Sequence, residues 1–186
     1  MKTQNQTMLS ENTLTSRPTD IIAGFPVRPG FFELNGATPL SNGVNFTAHT
    51  RHGTSCELLL FHSGEEEPFA VLPFPNACRI GDVYSMIVMG LDIEDLEYGY
   101  RIDGPYEPEK GHIFDKTKVL LDPYAKAVAG QREWGQQKIG SYHARVVRDS
   151  FDWEDMPQST RKISDLIIYE LHVRGFTQDS SSGVMH

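Results

Sequence analysis

Acid–base chemistry needs ionisable side chains held in pairs, and few residues of this chain offer that. Glu170 is the only carboxylate inside the apolar run Leu166-Ile-Ile-Tyr-Glu-Leu-His-Val173. Strand alternation sends Tyr169 and Leu171 to the face opposite Glu170. A lone carboxylate in such a strand reads as a buried, hydrogen-bonded structural group or as one lining a barrel. His172 stands at the strand's end, where a complete barrel would contact ligands. Cys56 and Cys78 have no CxxC spacing and no histidine cluster beside them, so free thiols are expected and zinc is not. No Walker or dinucleotide glycine loop and no metal-ligand spacing is found; no cofactor and no metal are expected. Glu65-Glu66-Glu67 reads as a solvated turn, and Arg101 and Asp103 share a strand face on which they are expected to pair. His49, His62 and His112 read as surface or satisfied core histidines.

The elements that would carry these residues are short strands. Val44, Phe46 and Ala48 lie on one face of a strand, Asn45 and Thr47 on the other. Cys56–His62 is apolar on both faces and is expected at a sheet centre. Val83–Met89 and Tyr98–Asp103 follow the same logic. Between them stand turn residues such as Ser41-Asn42-Gly43, His52-Gly53, Ser63-Gly64 and Asp103-Gly104. Short strands, frequent turns and almost no helix predict an all-β sandwich.

After Gly104 the texture changes. Residues 105–116 form a Pro- and Gly-containing loop. Asp122-Pro-Tyr-Ala-Lys-Ala-Val-Ala-Gly130 predicts a short helix: Asp122 caps it, Pro123 suits its first position and Gly130 ends it. Residues 131–161 read as a polar, locally packed linker containing Trp134, Phe151 and Trp153. Asp165–Val173 is then an almost unbroken apolar strand of the kind buried in parallel sheets and barrels. The organisation expected is a flexible polar tail at 1–23, a sandwich at 24–110, a connector at 111–162, and at 163–186 the start of a second, truncated fold.

Bulk properties narrow the field. A chain of 186 residues is too short for a complete eight-fold α/β barrel of roughly 250 residues. Seventeen Lys+Arg against 25 Asp+Glu give a net charge of −8, which disfavours nucleic acid and anionic lipid as partners. MKTQNQTMLSENTLTSRP lacks the apolar core of a secretory signal, and no run reaches the ~18 apolar residues of a membrane span, so a cytoplasmic location is expected.

The run Tyr98-Gly-Tyr-Arg-Ile-Asp-Gly-Pro-Tyr-Glu-Pro108, then Gly111-His112, then Leu120-Leu-Asp-Pro-Tyr-Ala-Lys-Ala127, resembles the isoamylase and glycogen-debranching enzymes of glycoside hydrolase family 13. Ile168-Tyr-Glu-Leu-His-Val-Arg-Gly-Phe-Thr177 and the earlier Gly43-Val-Asn-Phe46 and Gly81-Asp-Val83 are similar to the same family. The resemblance implies a carbohydrate-binding module of family 48, an immunoglobulin-like β-sandwich of the early-set type, then a connector with a short helix, and the first strand of an incomplete catalytic (β/α)8 barrel at Asp165–Val173. It implies further that the catalytic carboxylates follow the fourth, fifth and seventh barrel strands, so none is assigned here. Retaining hydrolysis needs two carboxylates about 5–5.5 Å apart across a sugar, and 186 residues alone are therefore expected to be inactive.

The resemblance also implies an α-glucan partner and the barrel in cis. Sugars bind through aromatic shelves and nearby polar groups. Tyr106 is the carbohydrate-binding candidate. It stands about where the glycogen-sensing modules of kinase regulatory subunits carry a Trp. Their second Trp would fall near His62–Glu67, which holds no aromatic residue, and their Lys is replaced by Gly99 or Arg101. Packing of Tyr106 against the connector or barrel is the competing reading. Tyr98 and Tyr100 are expected in the core. The parent activity implied is hydrolysis of α-1,6 branch points in glycogen-like polymers. The alternative is a free-standing α-glucan-binding or regulatory module.

Overall fold

The structure is a computed structural model; it describes residues 17–130, 142–148, 152, 154 and 160–184. Contacts divide the chain into two units, Met1–Asp149 and Ser150–His186. The first is built of strands. In chain order these are β1 (Asp20–Ile22), β2 (Phe25–Pro29), β3 (Gly36–Pro39), β4 (Gly43–His49), β5 (Ser55–His62), β6 (Ala70–Pro73) and β7 (Arg79–Ile80). There follow β8 (Val83–Met89), β9 (Leu96–Asp103), β10 (Tyr106–Glu107), β11 (His112–Ile113), β12 (Ala127–Ala129) and β13 (His143–Arg145).

These strands form a sandwich. One sheet has the order β1-β2-β8-β4-β3, with β7 also paired to β8; the other has the order β12-β13-β9-β5-β6. Every pairing is antiparallel, as short connections require. The inner faces follow the period of two. Val44, Phe46 and Ala48 of β4 meet Leu58 and Leu60 of β5 and Tyr98 of β9 in one core cluster. The Phe46 and Tyr98 rings pack edge to face across the two sheets at 5.2 Å. β5 lies between β9 and β6, so its burial on both faces follows from its central place. Cys56 and Cys78 are free thiols and both buried.

The outward face of β4 differs from a solvated strand. Asn45 and Thr47 are buried, and they bond to the chain that crosses above them. Asn45 Oδ1 accepts from the Phe31 amide at 2.7 Å, and the Thr47 and Ser85 hydroxyls bond at 2.7 Å. A Cβ on Gly30 would stand 2.4 Å from both Asn45 Oδ1 and Ser85 Oγ, so the crossing requires glycine there.

Three expectations are corrected. The stretch expected as a tail includes β1, whose Asp20 pairs with Val27 of β2. The helix expected at Asp122–Gly130 is a turn at Pro123-Tyr124 followed by strand β12. Asp122 does cap as anticipated, its Oδ1 accepting from the Tyr124 amide at 2.8 Å. The chain then leaves helical geometry because Ala127–Ala129 gains ladder bonds with β13. Finally, Asp165–Val173 is not a strand. Ile163–Asp165 is a 3₁₀ turn, residues 166–172 carry no ladder, and Val173–Thr177 is a short helix, α1. A strand apolar on both faces persists only where neighbours pair both edges, and no described residue pairs with it. Ile167 is 97% exposed. Trp134, Phe151 and Trp153 lie outside the described residues. Among the described residues no helix is long and apolar enough to cross a membrane.

Candidate functional site

The turn after β9 sets the position of Tyr106. Asp103 Oδ1 accepts from the Gly104 amide at 2.9 Å, and the Asp103 carbonyl accepts from the Thr54 amide at 2.8 Å. The Phe114 ring closes on Gly104 so tightly that a Cβ there would meet it at 2.7 Å. This contact folds β11 back along β10, pairing Tyr106 with Ile113 and Glu107 with His112. Gly111, at φ 80°, supplies the left-handed step that ends the intervening 3₁₀ turn.

Directly opposed residues of an antiparallel ribbon share a face. Tyr106, 70% exposed, and Ile113, 69% exposed, therefore form one outward apolar shelf. The other ribbon face carries Glu107, bonded to Lys110 at 3.0 Å, and His112, whose ring meets His52 at 4.5 Å. Among the described residues Tyr106 is exposed rather than packed against the connector. Ile113 was not anticipated; its signal was the spacing of two short apolar residues about the turn Pro108–Gly111.

Below the hairpin the connector is fastened to the sandwich. Tyr100 and Leu120 exchange backbone bonds of 3.0 and 2.7 Å. Tyr98 Oη donates to Asp122 Oδ2 at 2.8 Å. Burial raises the Asp122 carboxyl above the usual range, against the pull of the Tyr124 amide and the Tyr98 hydroxyl. Tyr98 and Tyr100 are core residues, as expected, and burial raises both phenols.

Other expected residues fall elsewhere. A Cβ on Gly99 would lie 2.6 Å from Val119 Cγ1, so the connector occupies the sheet face where a longer side chain would project. Asp103 faces Lys116 at 3.9 Å rather than Arg101. Glu65-Glu66-Glu67 is an exposed turn. Glu170 is exposed on the unpaired segment, a correction to its expected burial, because no sheet encloses it. His172 caps α1, its Nδ1 accepting from the Gly175 amide at 2.9 Å. Among the described residues no cluster of three metal-ligating side chains occurs.

Comparison with known proteins matches residues 35–125 to carbohydrate-binding module 48, the isoamylase N-terminal domain. The chain is 35% identical over 178 residues to the chloroplastic isoamylase SU1 of Zea mays, covering 89% of this chain and 22% of that protein. It is 35% identical over 156 residues to the glycogen debranching enzyme of Salmonella typhi, covering 77% of this chain and 23% of that one. It thus spans less than a quarter of the length of these relatives. A pullulanase type I from Bacillus subtilis, solved with maltose, superposes with a TM-score of 0.54 at 22% identity. That match covers 83% of this chain and 19% of the pullulanase, and it speaks for the fold. The β-sandwich, the fastened connector and the matched residues agree: residues 35–125 of this chain form a domain of the carbohydrate-binding module 48 family.

Proposed function

We propose that this chain is the N-terminal region of a debranching glycoside hydrolase acting on α-1,6 branch points of glycogen-like α-glucans. In this role the sandwich positions a catalytic barrel in cis and offers the Tyr106–Ile113 shelf to glucan. The carrying observation is that 35% identity to an isoamylase extends over 178 residues, well beyond the module at 35–125. The shelf supports the glucan contact. The apolar CH face of a pyranose stacks on an exposed phenol ring, and Ile113 enlarges the dry area beside it. The domain division carried with this reading is a sandwich to which the stretch expected as connector adds β12 and β13, and the start of a barrel from residue 163. The cytoplasm is its proposed compartment, although the maize relative is chloroplastic by name.

Hydrolysis is assigned to the barrel and not to these residues. Glu170 lies exposed on an unpaired segment, whereas retaining hydrolysis needs two carboxylates held about 5–5.5 Å apart across a sugar. Two assays test the proposal. Incubated with amylopectin, the 186-residue chain should release no reducing ends; release would overturn the assignment. Sedimented with glycogen, the chain should be retained, and Tyr106→Ala should lower the retained fraction. Equal retention of the variant would remove Tyr106 from the glucan contact.

A further inference from the structure

A second surface of the sandwich has the chemistry of a sugar site. Phe25 on β2, His62 at the end of β5 and Phe69 before β6 meet where the two sheets adjoin. With Leu91, Asp92 and Asp95 from the β8–β9 turn they border an open cleft of about 220 Å³. Its floor is aromatic. His62 and Phe69 stack at 4.4 Å and 28°, and Phe25 meets Phe69 at 6.2 Å. Phe69 is 40% exposed, so part of its ring meets solvent.

The rim accepts hydrogen bonds. Asp95 Oδ2 lies 2.9 Å from His62 Nδ1, and Asp95 Oδ1 accepts from the Ser63 amide at 3.0 Å. The Ser63 amide, then His62, hold the Asp95 carboxyl below the usual range, so it is a carboxylate at neutral pH. A carboxylate can only accept, so His62 carries a proton on Nδ1. Asp92 commits Oδ1 to the Glu94 amide at 3.1 Å. A ligand that fits must present one apolar face and several hydroxyl donors. Anions are repelled by the two carboxylates. His62 and Phe69 stack on one another rather than forming a cage around a cation.

We propose that the cleft bordered by Phe25, His62, Phe69, Asp92 and Asp95 is a second glucosyl-binding subsite, separate from the Tyr106 shelf. Choosing glucose as the sugar rests on the glucan reading above; the site itself does not depend on Tyr106. The aromatic floor meets the pyranose face while Asp92 and Asp95 accept from its hydroxyls.

The test is a maltotriose titration of the full 186-residue chain followed by backbone amide NMR. Saturable shifts are expected at His62, Phe69 and Leu91–Leu96 below about 20 mM. Phe69→Ala should weaken that binding at least about fivefold, with shifts at Tyr106 and Ile113 unchanged. Asp92→Asn provides a second variant that keeps the aromatic floor and should also weaken it. Shifts confined to Tyr106 and Ile113 would overturn the subsite and leave the proposed function standing. Shifts confined to the cleft would support the subsite and remove the Tyr106 shelf. Saturation by tetramethylammonium in place of maltotriose would overturn the sugar assignment.

Discussion

Tyr98 donates its phenolic hydrogen to Asp122 Oδ2 at 2.8 Å, and both side chains are buried. The bond ties the connector to the centre of the β12-β13-β9-β5-β6 sheet. Its partner bond, from the Tyr124 amide to Asp122 Oδ1, fixes the turn that launches β12. Asp122→Ala leaves the buried Tyr98 hydroxyl unpaired and frees the half-buried Tyr124 amide, and should destabilise the sandwich by about 1–3 kcal/mol. Tyr98→Phe should cost about 1–3 kcal/mol, through the lost bond and the buried carboxyl oxygen left without its donor. Urea unfolding of the two variants measures this, and midpoints equal to the parent would refute the anchoring role.

The same carboxyl makes stability pH-dependent. Its folded-state value is raised, mainly by burial, above that of an unfolded Asp near about 3.9. In the interval between the two values the folded state binds the proton more readily. This group's contribution is therefore fully present below about pH 3.9 and is lost as pH rises through the folded value. Asp122→Asn should flatten that part of the stability–pH curve. A variant curve parallel to the parent's across this interval would contradict the assignment.

Gly30 offers a sharper test of packing. Its missing side chain lets the chain cross the buried Asn45, Thr47 and Ser85 network, with Met86 N only 2.9 Å from where a Cβ would stand. Gly30→Ala should cost about 1–3 kcal/mol through overpacking. A thermal midpoint unchanged from the parent would show that the crossing loop yields freely.

The buried thiols report on opening. Burial pushes the Cys56 thiol up to about 12 and Cys78 up to about 11. At pH 8 neither should react with a disulfide reagent while the sandwich is folded, and both should react once it is denatured. Prompt reaction of the native chain would mean the sheet edges open without global unfolding.

How much of this could be read from the residues depends on what each residue is bound to. β4, β5, β8 and β9 were legible because burial is written into their own alternation. Val44, Phe46 and Ala48 could only face a core. The burial of Asn45 and Thr47 was not legible, since polar residues on a strand's outer face ordinarily meet water. Here the loop through Gly30 and Phe31 supplies their partners from 14 and 16 positions away. Asp122 was recognised as a cap, but the element after it was decided by pairing with β13, whose three residues sit in a polar stretch with no strand pattern. Asp165–Val173 reads as a strand by its own residues and lacks a ladder because pairing requires a neighbour. Tyr106 was picked out by its place after Asp103-Gly104, while Ile113 became visible only through the hairpin register.

The central claim, that this module contacts α-glucan through its hairpin shelf, is tested most directly by calorimetric titration with maltoheptaose. The account predicts a dissociation constant of about 1 mM or tighter, weakened about tenfold by Tyr106→Ala, with the variant's thermal midpoint unchanged. No heat of binding from the parent chain, or equal affinity in parent and variant, would contradict it.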